Sequence, residues 1–147
     1  MATTLECQLR APKTVKAGQP VEVVFRLSNP TSQPLYVLDW HTPLEGLLND
    51  IFQVTRDGEE LSYSGPMLKR GPPSADEYVT VAPGASVEGG VDIALAYDFT
   101  QPGRYRIAFR GRLMDVATQK PKEPHTLDRF RELAVNCPEV ETAVLKP

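Results

Sequence analysis

The sequence predicts an all-β protein, an antiparallel β-sandwich of about seven to nine short strands joined by long loops. Three observations predict it. Several short segments alternate apolar and polar residues, which is the pattern of strands with one buried face. Turn residues, among them 14 prolines and 10 glycines, are scattered between those segments rather than clustered. No stretch of the chain shows a convincing helical period.

The first half of the chain holds three predicted strands. Residues 3–11 alternate apolar and polar side chains, and residues 21–28 place apolar, partly β-branched residues on one face. Residues 35–40 form a third predicted strand, which ends at the only tryptophan, Trp40. Turn residues at 29–34 separate the second strand from the third.

The middle of the chain is predicted to be a hairpin followed by a long loop. Apolar residues between positions 52 and 63 flank Asp57-Gly58, a pair typical of tight hairpin turns. Residues 64–77, SGPMLKRGPPSADE, contain three prolines and two glycines and show no periodicity, so we expect a loop there. Loops of this length inside compact domains are often functional. Strands are expected at 78–81 and at 87–95.

The last third of the chain points to a particular kind of sandwich. Residues 105–110 alternate as a strand, and Pro102-Gly103-Arg104-Tyr105 just before it resembles the tyrosine corner of immunoglobulin-like domains. Residues 115–126 are a predicted connecting loop, and residues 130–137 are the last predicted strand. We therefore predict a single immunoglobulin-like β-sandwich domain over residues 1–140, followed by a loose C-terminal tail at 141–147.

The two cysteines, Cys7 and Cys137, lie near opposite ends of the chain. In an immunoglobulin-like topology the first and last strands are neighbours, and both cysteines occupy inward-facing positions. They form either a disulfide or two inert buried thiols, and the cellular compartment decides between these alternatives more than the geometry does.

Length, charge and hydrophobicity limit the classes of partner that the chain is expected to bind. At 147 residues the chain is long enough for one core, and its net charge of −3 argues against nucleic-acid binding. No apolar run approaches the roughly 20 residues that span a bilayer, so we expect no membrane partner. The start, MATTLECQLR, lacks the features of a signal peptide, which favours a cytoplasmic location unless a signal has been removed. We expect a monomer.

The residues that could do chemistry form no reactive set. His41 has only Asp39 and Asp50 near it in sequence, and His125 lies in a polar loop, so neither is favoured as a catalytic base. Two thiols alone do not complete a zinc site, and the acidic residues lack the spacing of a calcium loop. We expect no catalytic residue, no metal and no cofactor, and hence not an enzyme.

The central stretch and its continuation carry a family resemblance that covers roughly residues 20–110. The motifs, in order, are Trp40-His-Thr-Pro-Leu-Glu-Gly46, Asp50-Ile-Phe52, Asp57-Gly58, Tyr63-Ser-Gly65, Lys69-Arg70, Pro73, Asp76, Pro83-Gly84, Ala96-Tyr-Asp-Phe99 and Pro102-Gly-Arg-Tyr105. This combination resembles the N-terminal pro-domain of deuterolysin-type (aspzincin) zinc metalloendopeptidases. The H-E-x-x-H motif of their catalytic domain does not occur here. The resemblance implies a protease inhibitor or folding helper whose partner is a zinc metalloendopeptidase.

Two loop segments are the predicted protein-binding site. Pro66, Pro72 and Pro73 stiffen the loop around Met67, Leu68, Lys69 and Arg70, which gives a cationic, partly apolar segment suited to a cleft. Pro43, Leu44 and Glu45 are a second predicted contact. Rigid loops bind well because little conformational entropy is lost on docking.

Other interpretations remain open. Lys69 and Arg70 could be ordinary surface charges, and residues 42–48 a structural connection. Asn29-Pro30-Thr31 is similar to one loop of chagasin-type cysteine-protease inhibitors, although the other loop motifs of that family are not evident. The alternative in a different class is an immunoglobulin-like adhesion or assembly module with no protease partner.

Overall fold

The computed structural model describes residues 5–119 and 130–147. Within these ranges, 11 strands form three sheets. The strands are β1 (Glu6–Arg10), β2 (Thr14–Lys16), β3 (Glu22–Ser28), β4 (Leu35–Leu38), β5 (Phe52–Arg56), β6 (Glu59–Glu60), β7 (Tyr78–Val81), β8 (Ser86–Asp92), β9 (Gly103–Phe109), β10 (Val116–Ala117) and β11 (Val140–Leu145). Short 3-10 turns lie at Pro43–Glu45, Ala75–Glu77 and Ile93–Leu95.

Two sheets enclose the core. One has the strand order β1-β3-β8 and the other the order β2-β11-β9-β5-β6. The inward residues of both sheets belong to one cluster of buried apolar side chains. The rings of Phe25 on β3 and Phe109 on β9 meet across it, with centroids 5.0 Å apart. A third sheet has the strand order β10-β4-β7. Its strand β4 precedes the central loops in the chain, and β7 follows them.

The beginning of the chain contributes to both main sheets. β1 pairs antiparallel with β3, and after Pro12 the chain crosses over so that β2 pairs parallel with β11. Cys7 on β1 and Cys137, just before β11, form a disulfide. The structure thus selects the disulfide from the two alternatives that the sequence left open.

The end of the chain corrects two predictions. The predicted tail at 141–147 is mostly strand β11, which lies between β2 and β9 and buries Thr142 and Val144. The Thr142 hydroxyl donates a 2.8 Å hydrogen bond to the Pro12 carbonyl, which satisfies its polar group at an inward position. The predicted strand at 130–137 is instead a single bridge between Leu133 and Leu113.

Local turn chemistry agrees with the sequence. Asp57 and Gly58 both have positive φ, 49° and 89°, as a tight hairpin turn between β5 and β6 requires. The Tyr105 hydroxyl donates a hydrogen bond to the Gln101 carbonyl at 2.5 Å, which confirms the predicted tyrosine corner. The predicted strand at 87–95 ends early, because the Asp92 carboxylate accepts the Ala94 amide and starts a 3-10 turn.

Two predictions fall partly outside the described residues. His125 and positions 120–126 of the predicted connecting loop belong to the undescribed part of the chain. Among the described residues, none of the helical segments has the length and hydrophobicity that crossing a bilayer requires.

Candidate protein-binding loop

Residues 61–74 form an irregular loop that hydrogen bonds tie to the sandwich at several points. The Ser64 amide donates to the Ala96 carbonyl at 2.8 Å, and the Leu68 amide donates to the Leu48 carbonyl at 3.1 Å. The Tyr63 hydroxyl donates to the Pro66 carbonyl. The loop is therefore irregular in shape but fixed in position.

Arg70 ties down the end of this loop. Its guanidinium donates to the Glu45 carboxylate, lies 3.6 Å from the Glu77 carboxylate, and stacks over the Trp40 ring with 4.7 Å from Cζ to the ring centroid. Only 11% of the Arg70 side chain and 7% of the Glu45 side chain are exposed. Trp40 donates its indole N–H to Glu77 at 2.7 Å, which closes the network.

Asp39 brings a third carboxyl group to this network. Burial, together with the neighbouring charges of Glu45 and Glu77, raises its pKa to about 6, and Arg70 only partly opposes the shift. Its Oδ1 is buried without a hydrogen-bond partner in the described structure. Burial alone would raise the pKa of Glu77, but hydrogen bonds from Trp40 and Ser74 and the Arg70 charge together lower it.

The second predicted segment packs against its own domain. Thr42 caps the 3-10 turn at Pro43–Glu45 by accepting the Leu44 amide at 3.2 Å, and Pro43 is buried. A Cβ at Gly89 of β8 would lie only 2.5 Å from the Pro43 carbonyl oxygen, so the turn sits directly on this glycine. This close approach explains a glycine inside a strand.

The structure divides the predicted site residues into two groups. Met67 is 71% exposed, Leu68 is 49% exposed, and Lys69 is also exposed. Arg70 and the Pro43–Glu45 turn face inward and hold the loop, and Leu44 is half-buried. The structure brings both predicted segments together, since Arg70 contacts Glu45 and Leu68 contacts Leu48.

Sequence reasoning missed the partners of Arg70. On the sequence, Asp39 is only a neighbour of His41, and neither Trp40 nor Glu77 is predicted to belong to the binding site. Asp39 and Trp40 lie 31 and 30 positions before Arg70, Glu77 lies 7 positions after it, and no local pattern joins them. In the described ranges, no group of three or more His, Cys, Asp or Glu residues is arranged to hold a metal ion.

The chain belongs to the immunoglobulin-like domain family, whose family model matches residues 5–133. The predicted fold class is thereby confirmed. The sequence is also 32% identical over 102 residues to an extracellular protease of Aeromonas hydrophila. That match covers 69% of this chain but only 28% of the protease. Among solved structures, the chain is similar to the CARDB domain of a Pyrococcus furiosus protein in complex with di-metal ions. The two share 14% sequence identity with a TM-score of 0.40, and the match covers 98% of this chain and 94% of that one.

Proposed function

We propose that this chain is a non-catalytic protein-binding module, related to the pro-domain of a deuterolysin-type zinc metalloendopeptidase, that inhibits such an enzyme or assists its folding. The observation that carries the proposal is the pair of exposed apolar side chains, Met67 and Leu68, on a loop whose backbone is fixed. A fixed loop loses little entropy on binding, so burial of these side chains in a cleft would translate efficiently into affinity.

The sequence match to a protease supports this proposal. The match spans just over a quarter of the Aeromonas enzyme, which is the size of an accessory segment beside a catalytic domain. Disulfides form and persist mainly in oxidising compartments, where an extracellular protease works, so the Cys7–Cys137 bond fits the same setting.

Titration of a deuterolysin-type protease tests the proposal. Hydrolysis of a peptide substrate is followed while the purified protein is added, and the inhibition constant is compared with that of Met67→Ala/Leu68→Ala. Each apolar side chain buried in a cleft contributes about 1.5–3 kcal/mol, so the double variant should bind at least about tenfold more weakly. Leu95→Ala is the matched control, because Leu95 is 78% exposed on a different segment.

The outcomes separate the functional classes. Inhibition that the double variant loses and the control retains supports the proposal. Full protease activity at every concentration of the wild-type protein rejects the inhibitory role and favours an adhesion or assembly module.

A further inference from the structure

We infer that Arg70 is a positioning residue that presents Met67–Lys69 to a protease as a substrate-like segment and protects that segment from being cut. The inference rests on the proposed function and adds a mode of binding to it. Its structural basis is that these three exposed residues lie between two stretches of backbone that contacts with the domain hold in place.

The upstream side is held by two contacts. The Ser64 amide is bonded to the Ala96 carbonyl at 2.8 Å, and Tyr63 bonds the Pro66 carbonyl. The Tyr63 ring in turn packs on the ring of the buried Tyr97, with centroids 5.4 Å apart. The segment therefore begins next to a turn that Tyr63, a partly buried residue packed against the core, holds in place.

The downstream side depends on Arg70. Its guanidinium is clamped between the Glu45 carboxylate, the Glu77 carboxylate and the Trp40 ring, and it is almost fully buried. Removal of the guanidinium would leave the buried Glu45 carboxylate and the partly exposed Glu77 carboxylate without their shared counter-charge, which favours opening of this end of the loop.

The charges determine which cleft the segment fits. The Arg70 charge is neutralised inside the domain, while Lys69 makes no ion pair with any residue that the structure describes. The segment thus presents two apolar side chains and one cation. The complementary cleft has an apolar pocket with carboxylates at its rim.

Protection from cleavage follows from the two anchors. Hydrolysis of any peptide bond in the segment consumes one water and leaves a carboxylate and an amine that must separate. Proteases cut segments that open locally, because the scissile bond must adapt to the catalytic site. A segment anchored on both sides opens rarely, so the protease would bind it and release it intact.

The experiment compares four proteins: wild type, Arg70→Ala, Arg70→Lys and the control Arg10→Ala. Arg10 forms an exposed surface ion pair with Glu88 at 2.8 Å, so its loss leaves the loop untouched. Each protein is incubated with a deuterolysin-type protease, and inhibition and cut sites within 64–74 are followed over time by mass spectrometry. A parallel incubation with trypsin, which cuts after Lys69 in every variant, measures opening of the loop without any assumption about the natural partner.

We expect wild type and Arg10→Ala to inhibit durably and to stay intact. Arg70→Ala should be cut in the segment at least about tenfold faster by either protease, so that its inhibition is transient. Arg70→Lys should be intermediate, since an ammonium cannot make the forked contacts of a guanidinium. Emission from Trp40, the only tryptophan, reports whether the stacking is lost while the fold is kept. If Arg70→Ala does not fold, the lysine variant provides the comparison.

Each outcome of this experiment either supports or overturns the inference. Durable inhibition with equal cleavage of wild type and the Arg70 variants overturns this inference and leaves the proposed function standing. No inhibition by the wild-type protein overturns the proposed inhibitory role, and with it the substrate-like mode of binding. In that case the trypsin rates still decide whether Arg70 holds the loop closed: equal rates overturn that role as well, and a tenfold difference supports it.

Discussion

Loss of the Cys7–Cys137 disulfide should remove a large part of the stability of this domain. The bond joins residues 130 positions apart. In the chain-entropy model, a cross-link over such a loop lowers the entropy of the unfolded chain by about 17 cal/mol/K, or about 5 kcal/mol at 25 °C. Native domains are stable by only about 5–15 kcal/mol, so we expect a measured loss of about 2–5 kcal/mol.

Equilibrium unfolding in urea measures this loss. The oxidised wild type is compared with Cys7→Ala/Cys137→Ala and with the wild type under reductant, each followed by circular dichroism. The double variant should be insensitive to reductant, and its free energy of unfolding should lie close to that of the reduced wild type. The oxidised protein should also show the smaller dependence on urea, because its unfolded state is more compact.

If oxidised and reduced wild type unfold within about 1 kcal/mol of each other, the cross-link does not constrain the unfolded chain as the loop length requires.

Three further changes have predictable effects. The folded-state pKa of Asp39 is raised to about 6, so ionisation of this carboxyl group destabilises the fold as the pH rises from about 4 to 6. Asp39→Asn should therefore raise the free energy of unfolding by about 1–2 kcal/mol above pH 7. In urea titrations this gain should vanish near pH 4. Gly89→Ala should destabilise by about 1–3 kcal/mol because its Cβ meets the Pro43 carbonyl, whereas Gly90→Ala, whose Cβ would have no neighbour within 3.4 Å, should cost clearly less. Tyr105→Phe should lower the free energy of unfolding by about 1 kcal/mol through loss of the corner hydrogen bond.

For each of these three variants, one particular result would contradict the prediction. An Asp39→Asn gain that is constant with pH would show that the carboxyl does not titrate as its surroundings require. Equal losses for the two glycine variants would remove the close approach of the 3-10 turn as the cause. An unchanged Tyr105→Phe protein would mean that water replaces the lost bond without cost.

Much of the fold could be predicted from local patterns. The alternation at 21–28 placed β3, observed at Glu22–Ser28, and the predicted strand at 78–81 coincides with β7. β11 was missed because a proline, Pro138, directly follows the predicted last strand at 130–137 and is typical of a strand end. A polar residue, Thr142, also occupies an inward position there, so the apolar alternation is incomplete.

The candidate site was predictable only in part. Proline content and lack of periodicity were enough to locate the loop and its exposed tip, because both depend on neighbouring residues. The inward turn of Arg70 depends on Glu45 and Glu77, which lie 25 and 7 positions away in the chain, and on the Trp40 ring. Such tertiary ion pairs have no periodic signature, since any exposed-looking charge can find a partner once the backbone folds.

The position of the disulfide also has a mechanical consequence. In a longer polypeptide stretched by its flanking segments, tension would enter near Cys7 and leave near Cys137, and the covalent bond would carry the load. Nearly all of the sandwich would then be bypassed by the force, with only β11 exposed to peeling. The loop at 61–74 would keep its shape under shear or pulling that extends an unlinked domain.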